Sequence, residues 1–96
     1  MQFFALLRRN TDRFTDADFA PLLPDEAQQR RALYAEGSAR QVCNRTDRPG
    51  SALMLEADSD AAALAKLGTL PLIKAGMMEI DAVVPLAPYP GFGPRT

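Results

Sequence analysis

Leu33-Tyr34-Ala35-Glu36-Gly37-Ser38-Ala39-Arg40-Gln41-Val42-Cys43 lies near the middle of this 96-residue chain. Its character changes within a few residues. Up to Glu36 the chain is rich in good helix formers. Gly37 then supplies the residue that adopts a left-handed conformation most cheaply and stops a helix sharply. From Ser38 to Arg45 the residues read as a strand. The junction predicts a main helix over about 24–36 followed at once by a strand over 38–45.

Upstream, the run 2–8 is mostly apolar and bounded by polar residues, the pattern of a strand covered on both sides. Phe4 and Leu6 share one face, and Phe3, Ala5 and Leu7 share the other. Residues 9–13 are too polar to pack and read as a loop. Thr15 or Asp16 is a suitable N-cap, and Asp16 and Asp18 place negative charge where the helix dipole favours it. Pro21 and Pro24 restrict the residues before them, so a short turn over about 16–20 and a kink should precede the main helix.

Downstream, Thr46-Asp47-Arg48-Pro49-Gly50 is a turn cluster joining the strand 38–45 to a second strand over 51–57. Ser59 can cap a second helix over 60–68, with Leu64 and Leu67 on one face, and Leu70-Pro71-Leu72 closes it. A last strand over 77–85 should place Met78, Ile80, Ala82 and Val84 on one face and Met77, Glu79, Asp81 and Val83 on the other. The final eleven residues hold three prolines and two glycines and should have no regular structure. The order is β-α-β-β-α-β, an α+β ferredoxin-like domain over 1–86 with a four-stranded antiparallel sheet and two helices on one face. The strands look apolar on both sides, so the uncovered sheet face is expected to pair with a second copy in a two-fold dimer. The tail 87–96 is expected to lie on a partner subunit.

Eleven Lys plus Arg against twelve Asp plus Glu leave a net charge of −1, which offers no basic footprint for nucleic acid or an anionic membrane. The apolar start is too short for a membrane span and meets Arg8-Arg9 too soon for a signal segment, so a cytoplasmic location is expected. Cys43 is the only cysteine and there is no histidine, which removes the commonest metal ligand and the commonest general base together. Neither a metal nor another cofactor is expected, and chemistry must rest on carboxylates, arginines, tyrosines or Cys43.

Glu26 and Arg30 fall on the same helical stripe as Leu23, Leu33 and Tyr34, where apolar residues belong. Either the two form an i,i+4 ion pair, or Glu26 looks into a cavity where partial desolvation suits proton transfer. Glu79 and Asp81 share a sheet face and are either an acid/base pair or partners of Arg40, Arg45 or Arg48. Arg40 could clamp a substrate carboxylate through its planar fork, or simply show charge to solvent on an edge strand. Cys43 reads as a small apolar residue.

Taken together, Glu26, the Glu36-Gly37 stop, Arg40, Leu70-Pro71-Leu72 and Glu79-Ile80-Asp81 resemble the muconolactone isomerase-like family of the dimeric α/β-barrel superfamily. The tail from Pro85 to Phe92 is similar to small members of that group, and the YCII-related proteins are a more distant likeness. The resemblance implies a cofactor-independent isomerase that moves a proton on a cyclic unsaturated acid or lactone. Glu26 would be the base and Arg40 the anchor. Arg30, Tyr34 and Cys43 would contact substrate, and Glu79 and Asp81 would support them or relay protons. The chain departs from the family in Cys43, where a tryptophan is expected, and in Gln41, where a histidine is expected. The other reading is a non-catalytic dimeric module that binds a small ligand or assists a pathway enzyme.

Overall fold

Alternation along the first apolar run sorts its side chains onto two faces of a sheet. A computed structural model of the chain describes residues 1–94. In it β1 (Gln2–Arg9) buries Phe3, Ala5 and Leu7 completely. β2 (Ala39–Asn44), β3 (Gly50–Glu56) and β4 (Met78–Leu86) complete a four-stranded sheet in the order β2-β3-β1-β4, with every neighbouring pair antiparallel. The two central strands, β1 and β3, carry apolar residues on both faces.

The helical layer begins with α1 (Asp16–Phe19). Thr15 caps it in a reciprocal box with Asp18, its hydroxyl accepting from the Asp18 N–H and its own N–H donating to the Asp18 carboxylate. A 3₁₀ turn (Ala20–Leu22) follows, and α2 (Leu23–Ala35) starts with Pro24 in its first turn, where a missing N–H costs nothing. The two prolines thus produce the expected break between a short turn and the main helix. At the far end Gly37 takes φ +86°, the Ser38 N–H bonds the Leu33 carbonyl at 2.9 Å and the Gly37 N–H bonds that of Tyr34 at 3.1 Å. This is a Schellman closure, and the strand begins two residues later.

α3 (Asp60–Leu67) is capped by Ser59, whose hydroxyl accepts from the Ala62 N–H. Ala63 and Leu67 are its buried residues, and Leu64 is exposed. Ala63 takes the inward place expected of Leu64, one residue away on the helix. Pro71 opens a further one-turn helix, α4 (Pro71–Lys74), where only a stop was expected. Its proline preorganises the first residue, and its short length hides it from periodicity. Phe19, Leu33, Ala63, Leu67, Leu70 and Leu72 from this layer close on Phe3, Leu7, Leu53 and Leu55 from the sheet. Each large side chain so buried contributes about 1.5–3 kcal/mol.

Two irregularities change which side chains share a face. Leu6 pairs with Ala82 but Leu7 pairs with Ile80, so Asp81 is an extra residue in β4. Met78 and Ile80 consequently face the helices, while Ala82 and Val84 lie on the opposite face with Glu79. This corrects the strict alternation expected for that strand. In β2 the pairing steps from Ala39–Leu55 to Gln41–Met54, leaving Arg40 as the extra residue. After β4 a second 3₁₀ turn (Pro90–Phe92) gives the proline-rich tail one turn of regular structure, with Phe92 and Tyr89 packed edge to face at 5.1 Å. Residues 95–96, the end of that tail, lie outside the described residues. Among the described residues no helix is long and apolar enough to cross a membrane.

Candidate functional site

A cleft of about 450 Å³ opens between α2, the start of α4 and the end of the sheet where β1 and β2 finish and β3 begins. Its wall carries Glu26, Arg30, Arg9, Arg45, Asn44 and Ser51, with Leu23, Ala27 and Leu72 as apolar neighbours.

Glu26 projects from the first turns of α2 toward the sheet and is 4% exposed. Its Oε2 accepts from Arg30 Nε at 2.7 Å, and its Oε1 accepts from the Leu72 backbone N–H at 2.9 Å. That N–H lies in the first turn of α4, where a helix has no internal acceptor to offer, so the carboxylate ties α4 to α2. Arg30 spreads its remaining donors over the sheet, Nη1 to Ser51 Oγ at 2.7 Å and Nη2 to Met78 Sδ at 3.6 Å. The i,i+4 pair is thus a buried clamp and also part of a cleft wall.

Arg45 follows β2 and crosses to the outer side of the sheet. Its Nε and Nη2 hold Asp47 at 2.9 and 2.6 Å, and its Nη1 reaches Asp81 at 2.9 Å. Arg8 donates to Asp81 at 3.1 Å and also to Glu79. The hydrogen bonds from Arg45, and then from Arg8, hold the Asp81 carboxyl below its ordinary range against the opposing effect of desolvation. The Arg45 hydrogen bond lowers Asp47 to about 2. Both guanidiniums are raised in turn, Arg8 first by its hydrogen bond to Asp81 and Arg45 first by that to Asp47. Glu79 and Asp81 therefore do share a face, and they serve as counter-ions there. Their partners are Arg45, which was anticipated, and Arg8, which was not.

The other anticipated residues scatter. Arg40 is exposed at the β2 bulge and does not line the cleft, so Glu26 and Arg40 do not converge on one volume. Tyr34 is 65% exposed, one turn past the cleft, in a shallow depression with Arg30, Arg31 and Val42. Cys43 pairs with Ala52 and is exposed on the sheet face away from the helices, with the Gln41 amide 3.6 Å from its sulfur. The arginine that sequence reading missed in the cleft is Arg9. The 3, 5, 7 alternation of β1 extends to it, but only once the strand is known to run one residue beyond Arg8.

No protein-family model matches the sequence, and no curated protein matches it. Among solved structures, the crystal structure of muconolactone isomerase at 3.3 Å resolution superposes with a TM-score of 0.76 at 23% sequence identity. The match covers 94% of this chain and 92% of that chain. Strand order, the helices packed on one face and this superposition together establish that the chain has the muconolactone isomerase-like ferredoxin fold.

Proposed function

We propose that the cleft binds a small organic acid or lactone and that Glu26 moves a proton on it, a cofactor-independent isomerisation of the muconolactone isomerase type. The observation that carries this reading is a carboxylate buried to 4% exposure in the wall of a roughly 450 Å³ cleft that Arg9 and Arg30 also line. An ionised carboxyl group has about four lone-pair positions, and Arg30 and Leu72 occupy two of them. The others can accept a proton from a carbon activated by the ring carbonyl or double bond and return it to another carbon, so that one C–H bond breaks, one forms and the double bond shifts. Arg30 keeps the base oriented throughout.

The double engagement of Glu26 also supports a second reading, in which the carboxylate is only a clamp and the cleft binds without turnover. Proton exchange separates the two. The protein is incubated in D₂O with an unsaturated five-membered lactone bearing a carboxymethyl group, and the ligand is followed by NMR. Deuterium incorporation or double-bond migration that falls about 10²–10⁴-fold in Glu26→Gln is the expected result. Saturable binding with no exchange by the unaltered protein would establish the clamp reading instead.

We further propose a homodimer formed sheet to sheet. Phe4, Leu6, Met54 and Ala82 are only partly buried on the uncovered face, and Val84 is 43% exposed beside them. A two-fold axis through this face covers each apolar strip with its own copy, at low cost in specificity. Tyr89 and Phe92, 69% and 90% exposed, are the side chains that the tail would lay on that copy. Sedimentation equilibrium at micromolar concentration is expected to give twice the chain mass, shifting toward the monomer in Leu6→Glu; a monomeric parent chain would rule the dimer out.

A further inference from the structure

We infer that Arg9 is the anion anchor of the cleft and that the cleft is matched to a monoanion whose single carboxylate binds there. The inference rests on the reading that the cleft holds a small organic acid, and it names the residue that selects it.

Arg9 is the last residue of β1 and continues the helix-facing series Phe3, Ala5 and Leu7. Its backbone is held on both sides, the N–H bonding the Pro49 carbonyl at 3.0 Å and the residue pairing with Met78 on β4. Its guanidinium carbon lies 5.0 Å from the centroid of the Phe19 ring, and Phe19 is 1% exposed and therefore a fixed platform. An aromatic face holds a guanidinium through its plane and leaves the N–H edges free to donate.

Charge matching separates Arg9 from the other two arginines of the wall. Arg30 is committed to Glu26 and Ser51, and Arg45 to Asp47 and Asp81. Among the described residues, Arg9 has no carboxylate within ion-pairing distance. The wall thus keeps one cationic group that no carboxylate among the described residues neutralises, preorganised at the cleft that also contains the Glu26 carboxylate. A planar two-pronged donor is the natural partner of a carboxylate, and one guanidinium without a counter-ion balances one anionic group on the ligand. A monoanion satisfies both conditions.

The test uses isothermal titration of the full chain with the carboxymethyl lactone as the free acid and as its methyl ester. The unaltered protein is expected to bind the acid at least tenfold more tightly than the ester. Arg9→Gln should abolish that preference while leaving ester binding within about twofold, and Arg9→Lys should restore part of it. Glu26→Gln should retain acid binding. Equal loss of acid and ester affinity in Arg9→Gln, an unchanged preference for the acid, or no binding of either by the unaltered protein overturns the anchor. Exchange in D₂O keeps the two claims apart. Acid selectivity lost in Arg9→Gln, in a protein that never exchanges protons, upholds the anchor and removes the isomerase reading. Glu26-dependent exchange with an unaltered KM in Arg9→Gln does the reverse.

Discussion

Glu26→Ala is expected to lower the unfolding free energy by about 3–5 kcal/mol, the range found when one partner of a buried ion pair is removed. The side chains of Glu26 and Arg30 are 5% and 15% exposed, so little solvent is at hand to replace the lost carboxylate. Truncation leaves the Arg30 guanidinium with only a hydroxyl and a thioether, and it leaves the Leu72 N–H without an acceptor. Urea unfolding measures the loss, and a change under about 1 kcal/mol would mean that Arg30 escapes into the cleft water. The double variant Glu26→Leu/Arg30→Met should be much less damaged than the sum of its single changes, because it removes both charges and leaves neither stranded. Glu26→Gln keeps an oxygen for Leu72 and is the milder change, which makes it the suitable variant for activity measurements.

Gly50→Ala should destabilise the chain by about 3 kcal/mol, from overpacking and backbone strain acting together. A Cβ at residue 50 would stand 2.1 Å from the Leu7 carbonyl oxygen and 3.1 Å from the Arg8 Cα, both backbone atoms of the central strand. Gly50 also has φ +157°, and its carbonyl accepts from the Arg45 N–H at 3.0 Å to close the β2–β3 turn. Neither side can retreat cheaply, because β1 is paired on both edges. The expected result is a lower thermal midpoint together with faster amide exchange in β2. Exchange confined to the turn, with an unchanged midpoint, would show that the turn alone absorbs the added methyl group.

Most of the architecture was legible in the sequence because it rests on local signals. The Gly37 stop and the Ser59 cap act through hydrogen bonds within a few residues, the first helix cap was narrowed to Thr15 or Asp16, and the two prolines set the break before α2 by restricting their own neighbourhood. The candidate site was legible only in part. The i,i+4 spacing of Glu26 and Arg30 reveals that both lie on the helix face turned to the sheet, and Glu79 and Asp81 were correctly placed together. Arg40, Tyr34 and Cys43 were assigned to the site through resemblance and alternation, and the geometry places all three outside the cleft. Arg9 was overlooked because a polar residue at the end of a strand reads as the start of a loop, and Arg8, placed in the strand, because its carboxylate partners lie on β4, far away in sequence.

The sequence by itself determined the order of the main elements and most of the caps that end them, since each depends on residues within a turn or two of one another. Tertiary structure alone decided which carboxylate and which arginine meet. A bulged residue in a strand reverses the face of every side chain beyond it, and the bulges at Arg40 and Asp81 arise from pairing with other strands, where the local sequence carries no sign of them. The same strand pairing extends β1 by one residue and so turns Arg9 beneath the helices, into the cleft that Glu26 helps to line.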